Sequence, residues 1–251
     1  MKRNHYGKAE LTVFKSRDAM GQQAAKDVAD CLRSLLAVKE EVNMIFAAAP
    51  SQNELLASLM AKSDLAWDRI NAFHMDEYLN LPLGNRCSFS GFLINAIFGK
   101  LPFKTINLMN GQADANEECA RYTSLLRRYS PDLVCMGIGE NGHIAFNDPA
   151  VANFADPDPV KVVILEESCR RQQVNDGCFH SLADVPVAAI TITIPTLLQA
   201  KNIYCVVPGE RKAAALRAAM MEPICESCPA SILRTHEGVH IYADAAAGTG
   251  L

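Results

Sequence analysis

A histidine and a carboxylate five residues apart, His143 and Asp148, close the stretch LVCMGIGENGHIAFNDP at Leu133 to Pro149. An imidazole paired with a carboxylate can move protons near neutral pH. The stretch opens with an apolar run, Leu133 to Met136, of the kind that forms a buried strand. It then breaks at Gly137, Gly139 and Gly142, a turn that needs small residues and permissive dihedrals. Ligands of open α/β sheets bind outside the carboxyl ends of the strands, which is where such a turn would lie. The three glycines also match G-x-G-x-x-G. A dinucleotide site would need a helix running on from the third glycine. Here His-Ile-Ala-Phe-Asn-Asp-Pro follows, and Asn-Asp-Pro stops a helix early. A polar surface loop without chemistry is the plain alternative.

Three further clusters carry candidate chemistry. Asp76 and Glu77 follow the apolar run Ile70 to Phe73 and could supply a base or a metal ligand; read locally, a solvated loop is favoured. Pro50-Ser51-Gln52-Asn53 stands between an apolar run and a helix. The free N–H groups at that helix start could bind an anion, or Ser51 or Asn53 could simply cap it. Arg170 and Arg171 could reach a phosphate or cover surface, and Lys212 lies at the start of an alanine-rich helix.

These residues need a scaffold, and the chain alternates apolar runs with helical patterns. Strands are expected at 11–14, 43–49, 70–73, 105–108, 133–136, 160–165, 187–194, 202–207 and 239–242. Helices are expected at about 18–38, 54–62, 88–98, 116–129, 166–178 (helix or loop) and 210–220, and Leu81 to Asn85 reads as a turn. The pattern predicts an α/β fold: a three-layer, open, mostly parallel sheet with helices on both faces, Rossmann-like, in one domain spanning 1–251. Right-handed crossovers put strand ends on a common edge. The clusters at 50–53, 74–78 and 137–148 and the Lys212 helix would then meet in one pocket.

Composition narrows the class. The chain has 251 residues, 49% hydrophobic and 21% charged, as expected of a globular protein with a sizeable core. A net charge of −4 without a long basic run argues against nucleic acid as a partner and fits a small anion met by a few local cations. No apolar run reaches the length of a membrane span. The nine cysteines are scattered and odd in number, and no apolar signal segment opens the chain, so a reducing cytoplasm is the expected compartment. Cys225 and Cys228 form a single C-x-x-C, with no second pair to make a zinc site.

Two stretches in register carry a resemblance. FHMDEYLNLP (Phe73 to Pro82) and GIGENGHIAFNDP (Gly137 to Pro149) resemble the signatures of the glucosamine-6-phosphate deaminase (isomerase) family, roughly F-N-M-D-E-Y-x-x-L-P and G-x-G-x-D-G-H-I-A-F-N-E-P. ITITIPTLLQAK, GERKAAAL and PASILRTH are weaker matches in the same order. The resemblance implies the sugar-phosphate isomerase type of open α/β fold. It also implies conversion of an amino-sugar 6-phosphate, glucosamine-6-phosphate or an epimer, to a ketose 6-phosphate and ammonia, with no cofactor and no metal. By motif position, Asp76 matches the general base between C2 and C1, and His143 the residue that helps open the sugar ring. Asp148 falls where a glutamate orients that histidine, and Lys212 matches a phosphate-binding lysine. The expected catalytic set is thus Asp76, Asn141, His143 and Asp148. The expected substrate contacts are Ser51, Gln52, Asn53, Glu77, Gly139, Arg171 and Lys212.

The chain departs from the resemblance in three places. Asn141 stands where the family has an aspartate. Asp148 is one methylene shorter than a glutamate, about 1.5 Å of reach. Ala48 to Asn53 replaces a glycine-rich phosphate loop. Two other readings stay open: a 6-phosphogluconolactonase on a similar fold, and a sugar-phosphate sensor without turnover. The sequence leaves assembly into a homo-oligomer open.

Overall fold

The computed structural model describes residues 2–82 and 85–251, so Leu83 and Gly84 of the turn expected at 81–85 lie outside the described residues. In chain order the elements begin with β1 (Lys2–Tyr6), β2 (Ala9–Phe14), α1 (Arg17–Leu36), β3 (Val42–Phe46), α2 (Asn53–Met60), β4 (Ile70–His74) and β5 (Asp76–Tyr78). There follow α3 (Phe89–Leu93), β6 (Thr105–Asn107), α4 (Ala115–Arg128), β7 (Leu133–Met136), β8 (Val160–Ile164), α5 (Glu167–Asn175) and β9 (Ala188–Ile192). The chain ends with α6 (Ile194–Leu197), β10 (Asn202–Val207), α7 (Ala213–Met221) and β11 (Val239–Asp244). The helix expected at 88–98 is realised in two parts, with α3 running on into a π-helical turn over Ile94–Phe98.

Eight strands form one sheet in the order β1-β2-β11-β10-β7-β3-β4-β6, parallel throughout except for the β1–β2 edge pair. Both faces are buried, and the two-residue period of a strand divides its side chains between two cores. Met44, Phe46, Leu133, Cys135, Tyr204 and Val206 face α1 and α2. Ile45, Val134, Met136, Ile203, Cys205 and Val207 face α4 and α7. α1 earns its place by its apolar stripe, since Ala24, Ala25, Val28 and Leu32 recur at helical spacing and are fully buried. The cysteines among the described residues are free thiols, several of them serving as small hydrophobes in these cores. No helix among the described residues is long and apolar enough to cross a membrane.

The expected single sheet needs one correction. β8 and β9 do not join it; with β5 they form a separate three-stranded antiparallel sheet, order β5-β9-β8. Asp76 to Tyr78, read locally as a solvated loop, is the buried first strand of this small sheet. The reason lies in the partners: Asp76 pairs with Thr191, Glu77 with Ile190 and Tyr78 with Ala189, residues far along the chain that no local pattern reveals.

Candidate active site

β10, β7, β3 and β4 are neighbours in the sheet and run parallel, so their carboxyl ends share one edge. Each sends a different cluster over that edge: Lys212 after β10, Gly137 to Phe146 after β7, Ser51 and Gln52 after β3, and Asp76 after β4. Together with Gln172 and Gln173 of α5 they line a pocket of about 490 Å³, partly open to solvent.

The turn after β7 is built to present one imidazole. Gly142 has φ 86°, in the left-handed region that favours glycine, and Ala145 follows at φ 48°. The Gly139 N–H donates to the His143 carbonyl at 2.9 Å, which folds the turn onto itself. A Cβ on Gly139 would lie 2.1 Å from the His143 ring, so the ring can occupy its place only because Gly139 has no side chain. The turn is also fastened to the small sheet. Asn147 donates to the carbonyls of Ile144 and Ile192, both at 2.9 Å, and the Phe146 N–H donates to Thr191 Oγ1 at 3.1 Å. Thr191 is the register partner of Asp76, so one residue of β9 holds the His143 turn and the Asp76 strand together.

His143 Nδ1 faces two acceptors, Asn141 Oδ1 at 2.7 Å and Asp148 Oδ1 at 3.0 Å. Nδ1 therefore carries the proton, and Nε2 is left as the acceptor. Asn141 completes the triangle, since its Nδ2 donates to Asp148 Oδ1 at 3.0 Å while its Oδ1 also accepts the His143 backbone N–H at 3.1 Å. Asp148 is 1% exposed. Burial alone would raise its pKa, but the hydrogen bond and charge of His143, joined by the Asn141 amide, hold it below the usual carboxylate range. Ligand atoms of His143, Asp148 and Cys169 lie within 4.8 Å of one another, a grouping that could hold a metal ion. The direct contact between Nδ1 and Oδ1 gives the pair an orienting role without one.

Asp76 reaches the same pocket in a different state. Burial, reinforced by the charge of neighbouring Glu77, holds its carboxyl well above the usual range. A carboxylate so tuned is a stronger base near neutral pH than an exposed one. Lys212 brings the opposite charge; burial pulls its pKa down, and Asp176 and Glu140 act against that pull. Gln52 is 1% exposed, donates to the Met136 carbonyl at 3.2 Å, and leaves its own Oε1 without a protein partner at the pocket wall. Neither Ser51 nor Asn53 caps α2 through its side chain, so the capping alternative is not realised.

Three expected substrate contacts sit elsewhere. Asn53 is exposed and borders a separate groove with Asp18 and Glu54. Glu77 turns away and its carboxylate accepts the N–H groups of Tyr78, Phe89 and Ser90 at 2.9, 3.0 and 2.8 Å, which fixes the start of α3 and, with it, Phe89 in the pocket wall. Arg171 pairs with Glu167 on the exposed face of α5. Arg170 is no substitute, since it donates to the carbonyls of Leu182 and Val185. The helical period explains both misses: the residues of α5 that face the pocket are Gln172 and Gln173, one and two positions further on. The polar sequence of α5 has no apolar stripe to set its phase, so it held no clear signal for them.

The family profile described as glucosamine-6-phosphate isomerases/6-phosphogluconolactonase matches residues 15–242. The chain belongs to this family. A glucosamine-6-phosphate deaminase of Bacillus cereus (strain B4264) is 34% identical over 235 residues, covering 93% of this chain and 86% of the relative. The solved structure of a monomeric glucosamine-6-phosphate deaminase superposes with a TM-score of 0.88 at 28% identity, covering 95% of this chain and 98% of the other. The 6-phosphogluconolactonase of Trypanosoma brucei shares the fold, with a TM-score of 0.81 at 15% identity over the whole of both chains. The resemblance carried by the two motifs thus extends over the length of the fold. The expected α/β architecture is that of this family, with the small antiparallel sheet as the part the strand pattern did not reveal.

Proposed function

We propose that the protein isomerises and deaminates an amino-sugar 6-phosphate, glucosamine-6-phosphate or an epimer, to the ketose 6-phosphate and ammonia, acting as one α/β unit over residues 1–251. The observation that carries this reading is the meeting of Asp76, the His143–Asp148 pair and Lys212 in one pocket. The deaminase named among its relatives, 34% identical along most of both chains, supports the same chemistry.

The roles follow from the groups' states. His143 Nε2, free to accept, takes the proton of the anomeric hydroxyl and passes it to the ring oxygen as the C1–O5 bond breaks, while Asp148 and Asn141 hold the Nδ1–H and fix the imidazole's orientation. Asp76, ionised, removes the proton from C2 and returns it to C1 while O1 gains a proton given up by the substrate ammonium, so the C1 carbonyl becomes a hydroxyl and the C2–N bond an iminium. Water then adds at C2 and the amine leaves as ammonia. Lys212 meets the phosphate as a point charge, with Ser51 and the Gln52 amide beside it. Gly139 contributes by absence of a side chain, leaving room for the imidazole.

Purified protein incubated separately with glucosamine-6-phosphate and galactosamine-6-phosphate, with ammonia followed, tests the proposal. Release from one sugar and its loss in Asp76→Asn is the expected result. Binding without release from either sugar would point instead to a sensor. Hydrolysis of 6-phosphogluconolactone with no ammonia from amino sugars would point to a lactonase.

A further inference from the structure

The pocket has more amides than cations. Lys212 is its one cationic wall residue among the described residues. The neighbouring arginines are committed elsewhere: Arg170 to two carbonyls, Arg171 to Glu167, and Arg211 to the Asn175 carbonyl at 3.1 Å. Gln172 is also committed, since its Oε1 accepts the Glu140 N–H at 2.9 Å and its Nε2 donates to Asp176 at 3.3 Å. Gln173 differs from all of these. Its residue is 6% exposed and borders the pocket, yet its side-chain amide has no hydrogen-bond partner among the described residues. It lies two residues before Asn175, whose carbonyl holds Arg211, the neighbour of Lys212. Neither amide atom is sealed from solvent, so the group is open at the pocket wall to a partner supplied by solvent or ligand.

We propose that Gln173 is a substrate-contacting residue whose Nε2 donates to a phosphoryl oxygen beside Lys212, so that the phosphate end is read by one ammonium and neutral amides in place of a guanidinium. The inference rests on the reading of the pocket as a sugar-phosphate site. It makes the site selective by hydrogen-bond count more than by charge. A guanidinium would bring a second full charge and a bidentate fork, whereas an amide brings a single neutral donor.

The test compares the wild type with Gln173→Ala and the near-isosteric Gln173→Glu, using inorganic phosphate as probe. Two readouts are needed: phosphate affinity by calorimetry, and KM and kcat for the amino-sugar phosphate. Loss of one hydrogen bond to a charged group predicts that Gln173→Ala weakens phosphate binding and raises KM together, by about tenfold or more, with kcat unchanged. Gln173→Glu, which sets a carboxylate against the phosphate, weakens both further. A purely structural role would lower the melting temperature and kcat while phosphate affinity held. Unchanged phosphate affinity and KM in both variants would overturn the inference. Because phosphate binding is read without turnover, a wild type that binds phosphate through Gln173 yet releases no ammonia would leave this inference standing and refute the proposed reaction instead.

Discussion

Gly139→Ala isolates the geometry of the imidazole from every other property of the site. The backbone at Gly139 is outside the left-handed region, so alanine adds no conformational strain there. What it adds is a methyl group 2.1 Å from His143 Cε1 and 2.3 Å from both ring nitrogens, against the 3.4 Å of ordinary contact. The shortfall of 1.3 Å at the nearest atom must be taken up by the ring or by the turn. Either movement pulls Nδ1 away from Asp148 Oδ1, now 3.0 Å away, and carries Nε2 out of its place in the pocket. A displacement of ~1 Å in a catalytic group costs roughly a hundredfold in rate. The expected result is therefore a fall in kcat of about a hundredfold for ammonia release, with the fold retained by circular dichroism and inorganic phosphate still bound, because Lys212 lies on another loop. Turnover at the wild-type rate in a folded Gly139→Ala protein would refute the assignment of His143 to the chemistry.

Asp76 must be ionised to act as a base, and burial beside Glu77 raises its pKa, so kcat/KM is expected to fall with decreasing pH at a higher pH than an exposed aspartate would give; a pH–rate profile checks this. The same shift has a sign for stability. The folded state holds this proton to higher pH than the unfolded chain, so Asp76 costs stability increasingly as pH rises from the ordinary carboxylate range through its raised pKa. Asp76→Asn should then be inactive yet melt higher than wild type at pH 8, with the difference shrinking toward pH 4. Glu77→Ala strands three buried N–H groups, that of Tyr78 in β5 and those of Phe89 and Ser90 at the start of α3, and should cost about 3 kcal/mol or more in denaturant unfolding, whereas a surface role would cost almost nothing. Lys212→Met should raise KM about tenfold or more while the melting temperature at pH 7 holds or rises, since the buried ammonium is disfavoured in the fold; an unchanged KM would remove Lys212 from the phosphate site.

The parts of this site legible in the sequence are those governed by local rules. The apolar runs at 43–49, 70–73, 133–136 and 202–207 became four adjacent parallel strands because a strand buried on both faces must be apolar throughout. Their polar followers converged because parallel strands share an edge. Non-local pairing hid the rest. Asp76 to Tyr78 carries two acids, which read as solvated, but Glu77 finds two N–H donors on α3 besides that of Tyr78, and Asp76 finds Thr191 on β9. The arginine pair at 170–171 attracted a phosphate reading on charge alone. The phase of α5 then turned both side chains away from the pocket, Arg171 to solvent and Arg170 to the Leu182 and Val185 carbonyls, and the phase of a short polar helix is weakly marked in sequence.

The two substitutions in the His143 turn make physical sense as a pair. The family motif places an aspartate at 141 and a glutamate at 148. Two carboxylates meeting where Asn141 Nδ2 and Asp148 Oδ1 now lie 3.0 Å apart would repel unless one held a proton. The amide replaces that repulsion with a donated hydrogen bond, and it still offers Oδ1 to the His143 Nδ1–H at 2.7 Å. The shorter Asp148 side chain gives up about 1.5 Å of reach, yet its Oδ1 still stands 3.0 Å from the same nitrogen. Asn141 lies between them as a bridge, bonded to both partners. Orientation of the imidazole is thereby preserved with one negative charge in place of two. Relative to the family motif the charge behind the histidine is altered, while Nδ1 still has two oxygen acceptors within 3.0 Å to hold the ring.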